Sequence, residues 1–189
     1  DEPITVCRSG YTGELGFELI APNSAVEQLW DELAGAAENV GGGLAGLGAR
    51  DTLRTEMGYP LHGQDISPSI TPVEAGMSWA IGWDKPTFGG REALVSQRES
   101  GPARRLRALR ATQRAVPRSH MDVLSSEGAT VGQVTSGTFS PTLKEGIALA
   151  LMDASVNIDD EVVVDVRGRH VPFAVVKAPF VASNVRADG

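Results

Sequence analysis

The sequence predicts an α+β chain in two parts, a mixed helix-and-strand region followed by a small β-barrel or jelly roll. Three observations lead there. A Gly-punctuated hairpin and several helical periodicities occupy residues 1–99, the composition changes at "ESGPARR", and six short alternating runs at turn-separated intervals fill the remainder. The 22 glycines and 11 prolines call for many turns. Together these set a first region at 1–99, a linker at 100–105 and a barrel domain at 106–189.

Taken in order, residues 4–9 and 17–20 read as two short strands, and "SGYTGELG" between them carries turn glycines at 10, 13 and 16. After Pro22, Ser24 and Glu27 have capping-box spacing, and Val26, Leu29, Trp30, Leu33 and Ala37 recur at helical intervals. This helix is expected to bury that face and to stop near Gly41 in a left-handed turn. "GLAGLGARDTLRTEMG" predicts a short buried strand and then a helix over 49–57, with Arg50 and Arg54 on one face. "PLHGQDISPSITPVEAG" is a long irregular connection, "MSWAIGW" reads as a strand, and "GGREALVSQRES" as a helix. The barrel strands are expected at 104–111, 121–125, 129–136, 146–152, 161–166 and 169–177. "VTSGTFSPTL" reads as a Ser/Thr-rich turn joining two of them.

Composition excludes several classes. Seventeen basic against 24 acidic side chains give a net charge of −7, which argues against a general nucleic-acid binder while permitting local basic pockets. Cys7 is the only cysteine, so there is no internal disulfide and no thiolate metal cluster. No apolar run approaches the roughly 20 residues a membrane helix needs. "DEPITV" lacks a signal peptide's regions, so no membrane partner and a cytoplasmic location are expected. The chain opens on a strand-like run without an initiator methionine, as expected of a piece of a longer protein.

Most motifs have structural readings. Gly41–Gly46 fits GxGxxG, but a helix precedes it where a dinucleotide site needs a strand. His62, His120 and His170 lack metal-ligand spacing, and Cys7 has no neighbouring base. Tyr11, Glu18 and Arg50 are more informative. Side chains alternate along a strand, so Phe17 and Leu19 face one side and Glu18 the other. On a solvated face Glu18 carries no function. Against a second layer its carboxylate needs donors, which either Arg50 or an amidine-like ligand edge can supply. Arg50 is open to the same two readings, and Trp79 reads either as core or as a stacking platform.

Four segments together carry a resemblance: "GYTGELGFEL", "AGLGARDTLRTEMGYPLHGQDI", "TPVEAGMSWAIGW" with "GGREAL", and "GQVTSGTFSPTLKEGIALA". In order and spacing they resemble the carboxy-terminal half of the glycine cleavage T-protein family of tetrahydrofolate-dependent aminomethyltransferases. The resemblance implies an incomplete folate-binding, ferredoxin-like α+β portion ahead of the terminal barrel. It implies transfer of a one-carbon unit from the aminomethyl-lipoyl arm of the H-protein to tetrahydrofolate, with release of ammonia. Matching motif to motif, it implies folate contacts at Tyr11, Glu18, Arg50 and Trp79, where Glu18 accepts from the pterin and the aromatic rings offer flat faces. Glu14 reads as a turn residue. A family arginine falls near Arg105, Arg107 or Arg110, and a tail contact near Val185 or Arg186. The family's catalytic acid has no counterpart in these residues, so no catalytic residue is assigned and the chain is expected to be inactive alone. The folate-binding end of a dimethylglycine or sarcosine oxidising enzyme, and a non-catalytic folate-binding module, are the alternative readings.

Overall fold

A computed structural model describes residues 2–185 of the 189. The chain forms two units, one running to Arg54 and including the segment from Ala182, the other Thr55–Val181.

In the first unit, β1 (Thr5–Cys7) and β2 (Glu18–Ile20) pair antiparallel, with Cys7 opposite Glu18, so the expected hairpin forms. Helix α1 runs Val26–Asn39 and the chain leaves it through Gly41 at φ +78°. Its start departs from the expected capping box. Ala25 is the N-cap with no side-chain bond, while the Ser24 hydroxyl donates to Glu2 at 3.3 Å. The apolar face of α1 is not buried either, since Val26, Trp30 and Leu33 stay 47%, 56% and 47% exposed. Among the described residues of this unit no helix or strand is packed across that stripe. Helix α2 (Leu47–Glu56) matches the helix expected over 49–57, but residues 42–46 ahead of it are irregular and exposed, so the strand predicted there does not form. Four glycines among residues 41–46 hold little side-chain surface to bury, which is a poor basis for a strand.

In the second unit, the irregular connection expected after α2 is present, and "MSWAIGW" is a 3-10 turn at Ser78–Ala80 rather than a strand. The Trp83 indole N–H donates to the Ser78 carbonyl at 2.8 Å, closing the segment on itself where a strand would need a partner. Helix α3 follows at Arg91–Ser100.

Six antiparallel strands then close a barrel. They are β3 (Arg104–Ala111), β4 (Asp122–Leu124), β5 (Thr130–Ser140), β6 (Glu145–Asp153), β7 (Glu161–Val166) and β8 (Arg169–Val176), in the order β3-β6-β5-β4-β7-β8. Pairing of β3 with β8 completes the ring and leaves no open edge. The interior comes from alternate positions: Val162, Val164 and Val166 of β7 and Val171, Phe173 and Val175 of β8 are all buried. Ala148 and Ala150 of β6 belong to the same buried cluster as Phe173. "VTSGTFSPTL" differs from its prediction, because β5 continues through Ser140 and the turn is confined to the residues after it.

The close approach of one loop fixes two glycines. A Cβ at Gly146 of β6 would stand 2.3 Å from the Ala115 carbonyl oxygen, and one at Gly137 of β5 2.7 Å from that of Pro117. Residues 115–117 therefore lie directly on the barrel wall.

Candidate functional site

Three of the four residues singled out in the sequence meet in the first unit. Glu18 opens β2 opposite Cys7, and Arg50 stands on α2. An Arg50 guanidinium nitrogen lies 3.6 Å from Glu18 Oε1, and its Cζ lies 4.9 Å from the centre of the Tyr11 ring. The Ser9 hydroxyl donates to the other carboxylate oxygen, Glu18 Oε2, at 2.8 Å. So the carboxylate is oriented by a hydroxyl on one side and a cation on the other, and that cation is itself seated on an aromatic face. The Arg50 and Glu18 side chains keep 49% and 44% of their surface open to solvent, which leaves acceptor positions for further donors.

Arg54, predicted on the same helix face as Arg50, has a different environment. It is buried, and its Nε and Nη2 both donate to Asp51 Oδ1, at 2.8 and 2.7 Å. Glu14 is held in the hairpin connection by the Asn184 side-chain amide at 3.1 Å. Trp79 stands on the 3-10 turn of the second unit with 83% of its surface exposed, so it is not a core residue.

The arginines of β3 separate clearly. Arg110 is paired with Glu145, which raises the guanidinium's pKa and holds the carboxyl below its ordinary range. Arg107 donates to the Val156 carbonyl at 3.0 Å and lines a cavity of about 240 Å³ with Gly58, Ala75 and Leu149. Burial, helped by the neighbouring Arg105, lowers its pKa. Arg105 is exposed. Val185 is 43% exposed, and Arg186 lies outside the described residues.

Sequence reasoning missed a second polar system, in the second unit. Glu56 and Asp65 are buried carboxylates, and the hydroxyls of "TSGTFSPT" are their partners. Ser140 and Thr142 donate to Glu56, while Thr135 and Ser136 donate to Asp65, the last at 2.7 Å. The Leu61 N–H also donates to Asp65, at 2.8 Å. A third carboxylate, Glu74, forms a capping-box exchange with Thr71: the Thr71 N–H donates to Glu74 Oε2 at 2.8 Å and the Glu74 N–H to Thr71 Oγ1 at 3.1 Å. Arg104 reaches Glu74 at 3.0 Å. The signal was present in "TPVE", a Thr-x-x-Glu with proline inside it, and in a hydroxyl-rich stretch that needed acceptors. No buried side-chain nitrogen or oxygen among the described residues lacks a hydrogen-bond partner, so these carboxylates are satisfied structural groups. Among the described residues no group of three His, Cys, Asp or Glu is placed to hold a metal, and no helix is long and apolar enough to cross a membrane.

The family model "GCVT N-terminal domain" matches residues 1–85, and "Glycine cleavage T-protein C-terminal barrel domain" matches residues 104–182. Aminomethyltransferases of Parafrankia sp. and Frankia alni are each 60% identical over 184 residues, and that of Mycobacterium avium 54% over 186. Each alignment covers 97% of this chain and 50% of the relative. The crystal structure of glycine cleavage system aminomethyltransferase T from Bartonella henselae superposes with a TM-score of 0.89 at 34% identity, over 96% of this chain and 50% of that one. The chain thus spans about half the length of the relatives it matches, and, with both models matched in order along it, it belongs to the glycine cleavage T-protein family.

Proposed function

We propose that the chain is the folate-recognising part of an aminomethyltransferase that passes a one-carbon unit from the aminomethyl-lipoyl H-protein to tetrahydrofolate and releases ammonia in the cytoplasm. The observation that carries this reading is the convergence of Tyr11, Glu18 and Arg50. A pterin presents N3–H and a 2-amino group side by side, and a carboxylate already oriented by Ser9 and Arg50 is the acceptor such an edge needs. Tyr11 and Arg50 present stacked flat surfaces beside that carboxylate. Trp79, in the second unit, is an exposed aromatic residue to which the family resemblance gives a folate contact.

In this reading the chain's residues bind and orient the folate, and none of them is assigned to proton transfer. Transfer to a folate nitrogen requires the departing amine to be protonated, so the general acid belongs to the part of the family's length that this chain does not span. The test is an assay of a full-length protein made by joining this chain to the uncovered half of the Frankia alni relative. Ammonia release that needs both tetrahydrofolate and aminomethyl-lipoyl H-protein is expected, with a loss of at least about tenfold in kcat/KM for Glu18→Ala. Full activity of the Glu18 variant contradicts the assignment of the site.

A further inference from the structure

One end of the barrel carries a concentration of positive charge that folate recognition does not use. A groove of about 410 Å³ is lined by Arg114, Arg118, Arg167 and Arg169 over the buried Ala115 and Val166, and no acidic residue lines it. On β3, Arg104 pairs with Glu74, Arg110 with Glu145 and Arg107 donates to the Val156 carbonyl, while Arg105 is exposed. In the groove, Arg118 donates to the Gly137 carbonyl at 3.3 Å, and none of the four has an ion-pair partner among the described residues. In a chain of net charge −7, four unneutralised guanidinium groups around one concavity form a field that selects anions.

Two backbone features fix this arrangement. Val166 pairs with Arg169, so Arg167 and Gly168 form a two-residue hairpin turn, with φ +57° and +80°. Such a turn favours Asn-Gly or Gly-Gly; an arginine in the left-handed region is an outlier, and outliers of this kind gather where a side chain is needed. On the other wall, the segment between Arg114 and Arg118 is pressed onto Gly146 and Gly137, where no larger residue fits without displacement. The cations are thus mounted on a hairpin tip and on a loop with no room to shift toward the barrel wall, which lowers the ordering cost of binding.

We propose that this groove binds a small molecule carrying two or more anionic oxygen groups, phosphate or carboxylate, at a site that shares no residue with the Tyr11–Glu18–Arg50 cluster. Guanidinium forks match the paired oxygens of both groups and keep their charge at every physiological pH. Because the four side chains are exposed, affinity falls as salt rises.

The test is calorimetric titration of the full chain with inorganic pyrophosphate and, separately, with citrate, at about 0.15 M salt. Saturable one-site binding of at least one probe is expected. It should weaken roughly tenfold or more in Arg114→Gln/Arg169→Gln and in Arg167→Asn, a residue that tolerates positive φ, with thermal midpoints unchanged or higher. Arg98→Gln on α3 removes the same single charge as Arg167→Asn and should leave binding unchanged. Binding of pyrophosphate alone assigns a phosphate ligand, and binding of citrate alone a polycarboxylate. Saturation by neither probe, no effect of the groove variants, or equal weakening by Arg98→Gln overturns the proposal.

Discussion

The Ser136 hydroxyl donates to Asp65 across 71 residues of sequence, at 2.7 Å, and the aspartate has no exposed surface. Together with Thr135 and the Leu61 N–H, this bond ties the long connection after α2 to β5. Removing the carboxylate takes the acceptor from the Leu61 N–H and leaves Thr135 with the Leu149 carbonyl, at 3.1 Å, and the buried Ser136 with Gln64 Oε1, at 3.3 Å. Asp65→Ala should lower stability by about 2–4 kcal/mol, whereas Ser136→Ala, which removes one donor and leaves the others, should cost about 1–2 kcal/mol. Urea denaturation of the two variants measures both values, and the order of the two is the firm part of the expectation.

Glu74 gives the acid limb of stability a specific origin. Burial raises its pKa, but the Thr71 N–H and the Arg104 guanidinium outweigh that and hold the carboxyl below its ordinary value of 4.5. A depressed folded pKa stabilises above the unfolded value, and this contribution is lost as pH falls through the folded one. The thermal midpoint of the wild type should therefore fall as pH drops below 4.5, and Glu74→Gln should remove part of that slope. Midpoints recorded from pH 7 downwards for both proteins check this, and parallel curves contradict it.

The contact between Gly146 and the Ala115 carbonyl makes a third expectation. An alanine at 146 needs the loop or β6 to move, since its Cβ would lie 2.3 Å from a backbone oxygen. Gly146→Ala should cost about 1–3 kcal/mol, typical of overpacking. Gly168→Asn in the β7–β8 turn meets no neighbouring atom and should cost less, because asparagine accepts the φ of +80°. Thermal denaturation of the pair separates them.

Trp79 tests exposure against function. With 83% of its surface open, Trp79→Ala should change stability by no more than about 0.5 kcal/mol. In the proposed role, the same substitution weakens binding of a reduced folate, so the two measurements diverge for a binding residue and agree for a structural one.

What was legible in the sequence followed periodicity. Arg104–Ala111 and Glu161–Val166 were bounded to the residue: the second is a valine-rich run between Asp160 and the Arg167-Gly168 turn, and the first is a run of arginines and small or branched apolar residues that follows Gly101-Pro102. The hairpin was legible from its glycines. Alternation misled at "MSWAIGW", where Trp83 closes a local turn, and spacing misled at Ser24–Glu27, where Ser24 bonds Glu2 instead. The same capping pattern did form at Thr71–Glu74, outside any helix. Long-range partners left no trace in local pattern: neither the hydroxyls of β5 nor the buried carboxylates Glu56 and Asp65 reveal each other until the barrel brings them together. The Tyr11, Glu18 and Arg50 grouping was reached through resemblance, since each residue alone also fits a solvated surface.

The central claim, that Glu18 is the acceptor of a folate site, is tested most directly by calorimetric titration of the folded chain with a stable reduced folate, beside Glu18→Ala shown by circular dichroism to be folded. The account predicts saturable binding to the wild type and its loss in the variant. Equal binding by both proteins, or none by a folded wild type, contradicts the claim that these residues form a folate-recognising wall in this chain.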